Sequence, residues 1–338
     1  MSTGFNHSQT SYDMTSYSGD SLAVPVYAPG QFDFPKLPRD SRTHYSDYDG
    51  SSEQRAWFAQ DLISIDDWSI LLGVRRSEYQ QDQSSTYYPQ FNSTRIVPAQ
   101  SLDSTSYNAG LVYNLTANAA LYASYSEGFL PQFPAVANCA GGNSFPPMET
   151  VNKEVGVKLN SSDNALSWTT AAFQLEQSNR LEYNGARACY QPRQAQQLKG
   201  FETELTGRLL PGLDVIASYT YTSSKDRGDP SNLPAAQPRH QANLWSNYAF
   251  QSVPLKGFGV SLGVSAYSGT RLGTSNDEQT LPGAARVDAG VFYSAPDWSA
   301  RLGVKNLFDR ELYGYSSSTI YVPILDGRTL TLTLNKSL

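Results

Sequence analysis

Cysteine is nearly absent from this 338-residue chain: Cys139 and Cys189 are the only two. That excludes a disulfide-dense scaffold and the clustered cysteines of structural zinc sites. Histidine is as scarce, and His7, His44 and His240 lie too far apart in sequence for a metal-ligand spacing. Positive charge is not in excess. Lys and Arg number 25 against 31 Asp and Glu, a net charge of −6, which argues against a nucleic-acid partner. No apolar run approaches the ~20 residues of a membrane helix. A mean hydropathy of −0.44 excludes a bundle of such helices. Glycine-rich phosphate loops and nucleophile elbows are missing. Glu202 and Glu204 are paired carboxylates on one strand face, but no His or nucleophile is placed to make them acid and base. Neither an enzyme nor a resident cofactor or metal is expected. The opening MSTGFNHSQTSYDM has neither a basic region nor an apolar core, so no signal peptide is expected there. A membrane protein opening this way is expected to be a mature chain, a piece of a longer one or a truncated product.

What the chain has in quantity is aromatic residues and two-residue alternation. It holds 22 Tyr, 14 Phe and 5 Trp. Near the C-terminus Leu330, Leu332 and Leu334 form one face of a strand and Thr329, Thr331 and Thr333 the other, the pattern of a strand between lipid and a polar interior. Trp68, Ile70, Leu72 and Val74 alternate in the same way. So do Phe258, Val260, Leu262, Val264 and Ala266, and Ala285, Val287, Ala289 and Val291. Strands are read at Met1–Thr10, Gln54–Ile65, from Trp68 to Arg75, and at Ser106–Leu115, Ala119–Glu127, Val151–Asn160 and Ala165–Gln177. Further strands are read at Leu198–Leu209, Leu213–Ser223, Pro238–Phe250, Phe258–Ser268, Ala284–Tyr293 and Trp298–Asn306, with the terminal strand after Asp326-Gly327. Short turns (Asp66-Asp67, Thr116–Asn118, Ser161–Asn164, Pro211-Gly212, Pro296-Asp297) alternate with long loops near 11–50, 83–102, 128–150, 179–196, 225–236 and 271–279. Trp68 and Trp298 begin strands beside short turns, and Tyr107, Tyr113, Tyr219, Tyr221, Tyr248 and Tyr293 lie near strand ends, as interfacial girdles require. The expected fold is an all-β, antiparallel transmembrane barrel of about fourteen strands.

Several stretches together resemble the C-terminal part of TonB-dependent outer-membrane receptors, of the ferrichrome and pyoverdine type. They are Phe58-Ala59-Gln60-Asp61 with Trp68 to Arg75; Leu121 to Phe129 with Pro131; Glu149 and Lys153 to Lys158, leading to Ala172-Phe173 and Asn179; and Gly200 to Glu204 with Pro211-Gly212-Leu213. Pro238 to Gln241, Leu281-Pro282-Gly283 with Val287-Asp288, and Asn306-Leu307-Phe308-Asp309 with Tyr313 and Gly327-Arg328 complete the series. The resemblance implies a parent barrel of roughly 22 strands with a plugged lumen. Fourteen strands would be its last two-thirds, so the plug, TonB box and opening strands are expected to be missing, and the chain alone is expected to be incapable of coupled uptake. Leu338 departs from the aromatic terminus by which the barrel-assembly machinery recognises such chains. The resemblance further implies the Gram-negative outer membrane, contact with its lipid, a ferric siderophore as ligand, with iron only as the chelate, and the TonB system as a partner through the plug alone.

Candidate residues follow. Glu154, Lys158, Glu202, Glu204, Arg239, Asn243, Arg286 and Asp288 would face the lumen or plug; the plainer reading is that every barrel interior is polar. Aromatic rings and arginines suit a bulky, partly aromatic chelate. Tyr88, Phe129, Phe133, Tyr183, Arg187, Tyr190, Arg193, Tyr267, Arg271, Tyr313 and Tyr315 would form its vestibule, although each alone also fits a girdle. Cys139 and Cys189 fall in consecutive long loops on one side, where a disulfide is expected after export. Two rivals stand beside this reading. One is a passive pore closed from fourteen strands; the other is a soluble all-β binding or carbohydrate-active protein.

Overall fold

The structure, a computed structural model, describes residues 1–18, 43–87, 93–132, 138–141, 145–193, 196–227, 237–272, 279–314 and 322–336. Fourteen strands make one antiparallel sheet, each paired with its neighbour in chain order. They are β1 (Ser2–Ser18), β2 (Thr43–Ile65), β3 (Trp68–Tyr87), β4 (Ser93–Thr116), β5 (Ala119–Leu130), β6 (Met148–Asn160), β7 (Leu166–Ser178), β10 (Gln196–Leu210), β11 (Leu213–Asp226), β12 (His240–Ala249), β13 (Phe258–Tyr267), β16 (Ala284–Ser294), β17 (Trp298–Lys305) and β18 (Thr329–Lys336). Two small hairpins lie in the loops: β8 (Leu181–Asn184) with β9 (Cys189–Pro192), and β14 (Thr270–Arg271) with β15 (Thr280–Leu281). Among the described residues the sheet is open, with β1 and β18 at its edges.

The short turns are set by residues that tolerate positive φ. Asp66 (φ 50°) turns the chain between β2 and β3, and Gly212 (φ 82°) does so after Pro211. Between β6 and β7, Asn164 (φ 55°) is flanked by a side-chain network. The Ser161 hydroxyl donates to Asp163, whose carboxylate also accepts from the Ala165 amide at 3.1 Å, and Leu166 N–H donates back to Ser161 Oγ at 3.0 Å. These bonds, the Ser161 hydroxyl foremost, hold the Asp163 carboxyl below the usual aspartate range.

The first four strands outrun their expected limits. β1 continues to Ser18 and pairs with β2 back to Thr43, where a long polar loop was expected after Thr10. The Gln/Ser/Tyr stretch at 83–102, expected as a loop, is the continuation of β3 and β4, paired from Gln83↔Val97 to Tyr87↔Ser93. Where both faces of a strand meet polar surroundings, hydrophobic alternation vanishes although the backbone ladder persists.

The register sorts the side chains onto two faces, since directly paired residues point the same way. Leu111, Ala123, Val155, Ala172, Phe201 and Tyr221 form one row across six strands. At the far end Val291, Leu302 and Leu332 continue the same face. Lys158, Thr169, Glu204, Ser218, Asn243, Ser265 and Arg286 form an unbroken row on the opposite face, across seven strands. Among the described residues no second layer covers the apolar face. Leu330, Leu332 and Leu334 are 67%, 65% and 68% exposed, and Val155 is 58% exposed. In water each would forgo about 1.5–3 kcal/mol of burial, so this face calls for an apolar solvent. Aromatic pairs rim it beside the short turns: Trp68 with Tyr113 (ring centroids 4.4 Å apart), Phe258 with Tyr293 (4.6 Å) and Tyr293 with Trp298 (5.2 Å).

The polar face carries a second regularity. Gly4, Gly156, Gly200, Gly259 and Gly263 stand directly opposite Phe58, Tyr122, Phe173, Phe292 and Trp245 on the neighbouring strand. A methyl group added at these glycines would fall 2.1–2.6 Å from the ring opposite. Each ring therefore lies down over the backbone of its glycine.

Candidate functional site

The buried apolar side chains of the long-loop end are few but concentrated: Phe145, Cys189, Leu272 and Leu312. They make small cores that order the loops. Cys139 and Cys189 are joined by a disulfide with Cα atoms 5.1 Å apart, tying the β5–β6 loop to the β8–β9 hairpin. Cys139 N–H donates to Tyr190 O at 2.9 Å, and the Tyr183 and Tyr190 rings pack at 5.2 Å across the hairpin. Gln132 joins the same pieces. Its Nε2 donates to Pro146 O (2.9 Å) and Asn179 O (2.6 Å), and its Oε1 accepts from Leu181 N–H (3.3 Å). Arg193 pairs with Glu182 and, at 3.4 Å, with the buried Asp226 at the top of β11. Arg187 occupies the turn at the hairpin tip.

A second cluster lies along β11, β12 and the β14–β15 hairpin. Thr222, Ser224, Arg239, Thr270, Arg271 and Thr280 line a cavity of about 140 Å³. Tyr267 donates to Tyr313 O at 3.5 Å. The Tyr313 hydroxyl in turn donates to Glu311, which pushes its titration above the usual tyrosine range. Asn306, only 1% exposed and at φ 53°, anchors the loop after β17. Its Nδ2 donates to Arg310 O at 2.8 Å and its Oδ1 accepts from Arg310 N–H at 3.0 Å. Its own N–H reaches Asp288 Oδ1 at 2.8 Å, while Arg286 donates to both oxygens of Asp288. Asp309 accepts from Arg328 N–H at 2.7 Å, closing the loop onto β18.

Tyr183, Arg187, Tyr190 and Arg193 thus share the disulfide-tied hairpin, and Tyr267, Arg271 and Tyr313 gather near the cavity with Arg239. Phe129 does not join them: on β5 it shares the side of Ala123 and Tyr125, on the apolar face. Tyr88, Phe133 and Tyr315 lie outside the described residues. Glu154, Lys158, Glu202, Glu204, Asn243, Arg286 and Asp288 all stand on the polar face, with Arg239 just ahead of β12. There Tyr122 donates to Glu154 at 2.5 Å, and Lys158 Nζ sits 5.1 Å from the Tyr122 ring centre. Sequence reasoning missed Gln132, Glu182 and Asp226, for which no local pattern exists. Asn306 was visible as part of a motif, though its role as a buried anchor was not.

Residues 2–307 match the family model described as TonB dependent receptor-like, beta-barrel. The chain belongs to that family. Among curated relatives, the metal-pseudopaline receptor CntO of Pseudomonas aeruginosa (strain UCBPP-PA14) is 30% identical over 320 residues, covering 92% of this chain and 43% of the relative. The ferrichrome outer membrane transporter/phage receptor of Escherichia coli K12 is 32% identical over 203 residues, 56% of this chain and 26% of that one. The chain therefore spans less than half the length of these relatives. Two solved receptor structures share the fold. The ferric-catecholate import receptor Fiu of E. coli K12, in its closed form, superposes with a TM-score of 0.84 at 22% identity, over 99% of this chain and 51% of that one. The siderophore receptor PiuA of Acinetobacter baumannii gives 0.78 at 21%, over 99% and 53%. In the wall of a transmembrane β-barrel the apolar face meets lipid and the polar face the lumen.

Proposed function

We propose that the chain forms the wall and external loops of an outer-membrane receptor for ferric siderophores, in a Gram-negative envelope. The observation that carries this is the pairing of a lipid-type face with a loop end ordered by its own disulfide, small cores and clustered Tyr and Arg, in a family whose matched relatives are named as siderophore and metal-chelate receptors. The chelate enters from the long-loop end and meets Tyr183, Arg187 and Tyr190 on the hairpin, then Tyr267, Arg271 and Tyr313 lower down. The carboxylates and cations of the lumen face, Glu154, Lys158, Glu202, Glu204, Arg286 and Asp288, contact a plug through which TonB would act. Iron arrives only inside its chelate, and no resident cofactor takes part. The assembly machinery and outer-membrane lipid are the remaining partners.

A passive pore closed from these strands would need β1 to pair with β18, which stand at opposite edges of the sheet. A soluble sandwich would need a cover for the exposed leucines of β18. The test is binding of ferric chelates to the detergent-extracted protein, read by quenching of its Trp and Tyr fluorescence. Saturable quenching by a ferric siderophore at micromolar concentration or below supports the receptor. Folded extraction without detergent, or ion conductance with no chelate binding, refutes it.

A further inference from the structure

The β8–β9 hairpin is held at both ends. Near its tip the Cys139–Cys189 disulfide fixes it, since Cys189 pairs with Asn184 in the last rung of the ladder. Its root, where Leu181 stands opposite Pro192, has no covalent tie. Two primary amides hold it there. Gln132, just past the end of β5, directs Nε2 at two carbonyls, Pro146 O at 2.9 Å and Asn179 O at 2.6 Å, and its Oε1 accepts from Leu181 N–H at 3.3 Å. Asn179 reaches the other way, from Nδ2 to Pro147 O at 3.1 Å, and stands at φ 60°.

The partners account for the residue types. Pro146 and Pro147 have no N–H and cannot complete a two-way backbone pairing, so their carbonyls take donors from side chains. Phe145, 1% exposed, anchors this segment. Asn is among the few residues that accept the left-handed backbone found at position 179. Asn179 N–H then donates to Arg193 O at 3.2 Å, and Arg193 N–H to Arg180 O at 2.9 Å, which joins the two strands of the root. Arg193 also pairs with Glu182 and Asp226, on the β9 side. On the β8 side Gln132 does the joining, across up to 49 positions of sequence. Its contacts call for two donors and an acceptor in one planar group, which a carboxylate or a guanidinium lacks.

We propose that Gln132 is a positioning residue for the ligand: with Asn179 it clasps the hairpin root and so fixes where Tyr183, Arg187 and Tyr190 meet the chelate. A hairpin held only near its tip would pivot about the disulfide and carry those three side chains with it. Contact residues fixed beforehand lower the ordering cost of binding. The inference rests on the receptor reading and adds a determinant of affinity that itself touches no ligand atom.

The test uses the whole chain, extracted in detergent, and reads the clasp first without ligand. Gln132→Met keeps the length and loses all three bonds. Gln132→Glu keeps the shape and the acceptor but, ionised, donates nothing and faces two carbonyl oxygens. At neutral pH both variants should show exchange of the Arg193 amide, and reduction of the disulfide by a phosphine, at least about tenfold faster than the wild type. Below the ordinary carboxylate range near pH ~4 the introduced carboxyl regains one O–H donor, so Gln132→Glu should return toward the wild type while Gln132→Met does not. The wild type at each pH is the baseline, because Glu182 and Asp226 face Arg193 beside the root. The probes for binding are a ferric trihydroxamate and a ferric tris-catecholate at neutral pH. Whichever binds the wild type should bind both variants at least about fivefold more weakly. Unchanged heat-modifiable migration certifies that the sheet folds; should one variant fail it, the other decides. Wild-type exchange and reduction in the variants, or a loosening in Gln132→Glu that acid does not reverse, would overturn the clasp. A loosened hairpin with unchanged chelate affinity would overturn the positioning role. Either result leaves the receptor reading standing. Binding of neither probe by the wild type would overturn the receptor reading and the positioning role with it, and the ligand-free measurements would still decide the clasp.

Discussion

Replacing both Cys139 and Cys189 by serine isolates what the disulfide does. The two residues are 50 apart in sequence, and cross-linking a free loop of that length is worth about 4 kcal/mol in the chain-entropy account. Most of that separation is not free when the loops open. The β6–β7 hairpin, Met148–Ser178, lies between the cysteines and belongs to the sheet. Only the stretches from Cys139 to Met148 and from Ser178 to Cys189 gain freedom, about 20 residues, which lowers the expected contribution to about 3 kcal/mol. At tenfold per 1.4 kcal/mol this is a change of roughly 100-fold in the opening equilibrium. Hydrogen exchange reads it at amides bonded inside the loop end: Cys139 to Tyr190 O and Arg193 to Arg180 O. Trypsin reads it after Arg187 at the hairpin tip. Loop amides should exchange about 100-fold faster in the double variant while the ladder of β6 and β7 keeps its protection. A change below about threefold, or equal acceleration in the sheet, would refute the assignment of the disulfide to local loop order.

Three further expectations concern the wall. Asn306→Ala loses two side-chain hydrogen bonds at about 0.5–1.5 kcal/mol each and must hold a left-handed residue for a further 1–2 kcal/mol. Urea unfolding from lipid vesicles should show a loss of about 2–5 kcal/mol, with Asn306→Gly retaining the backbone part. Leu332→Arg, on the lipid face, should cost about 2–4 kcal/mol in the same assay, whereas Thr331→Arg, one residue away on the lumen face, should fold nearly as well as the wild type. Asp163 has a lowered folded value, so its contribution to the β6–β7 turn is present above its unfolded value and is lost as pH falls through the lower folded one. The Ala165 amide should stay protected down to the ordinary aspartate range near pH ~4 and lose protection only below it, and Asp163→Asn should abolish that acid step.

The strand count and order were legible because alternation is strongest where one face meets lipid. Leu330, Leu332 and Leu334 against Thr329, Thr331 and Thr333 need no partner to be read. Above the lipid belt that contrast disappears, and the paired stretches of β3 and β4 between Gln83 and Val97 looked like loop. The residues that share the polar face could be grouped from alternation alone, since charge is conspicuous on an alternating strand. The loop end was not. Gln132 holding Asn179 and Leu181, or Arg193 holding Asp226, are contacts between residues 33 to 49 positions apart that depend on the register of intervening strands. The side of Phe129 depends on parity carried through β5 beyond the alternating region.

The glycines opposite aromatic rings on the polar face bear on how far that face projects. An aromatic side chain that stands off a wall takes space from the passage; one that reclines over a glycine takes almost none. The large residues Phe58, Tyr122, Phe173, Phe292 and Trp245 lie close to the sheet, because their neighbours across the ladder have no side chain to lift them. A side chain at Gly200 or Gly259 would meet its ring at 2.2 or 2.1 Å and displace it. The relief of this face is thus written in its smallest residues, and a survey of its bulky ones would look in the wrong place.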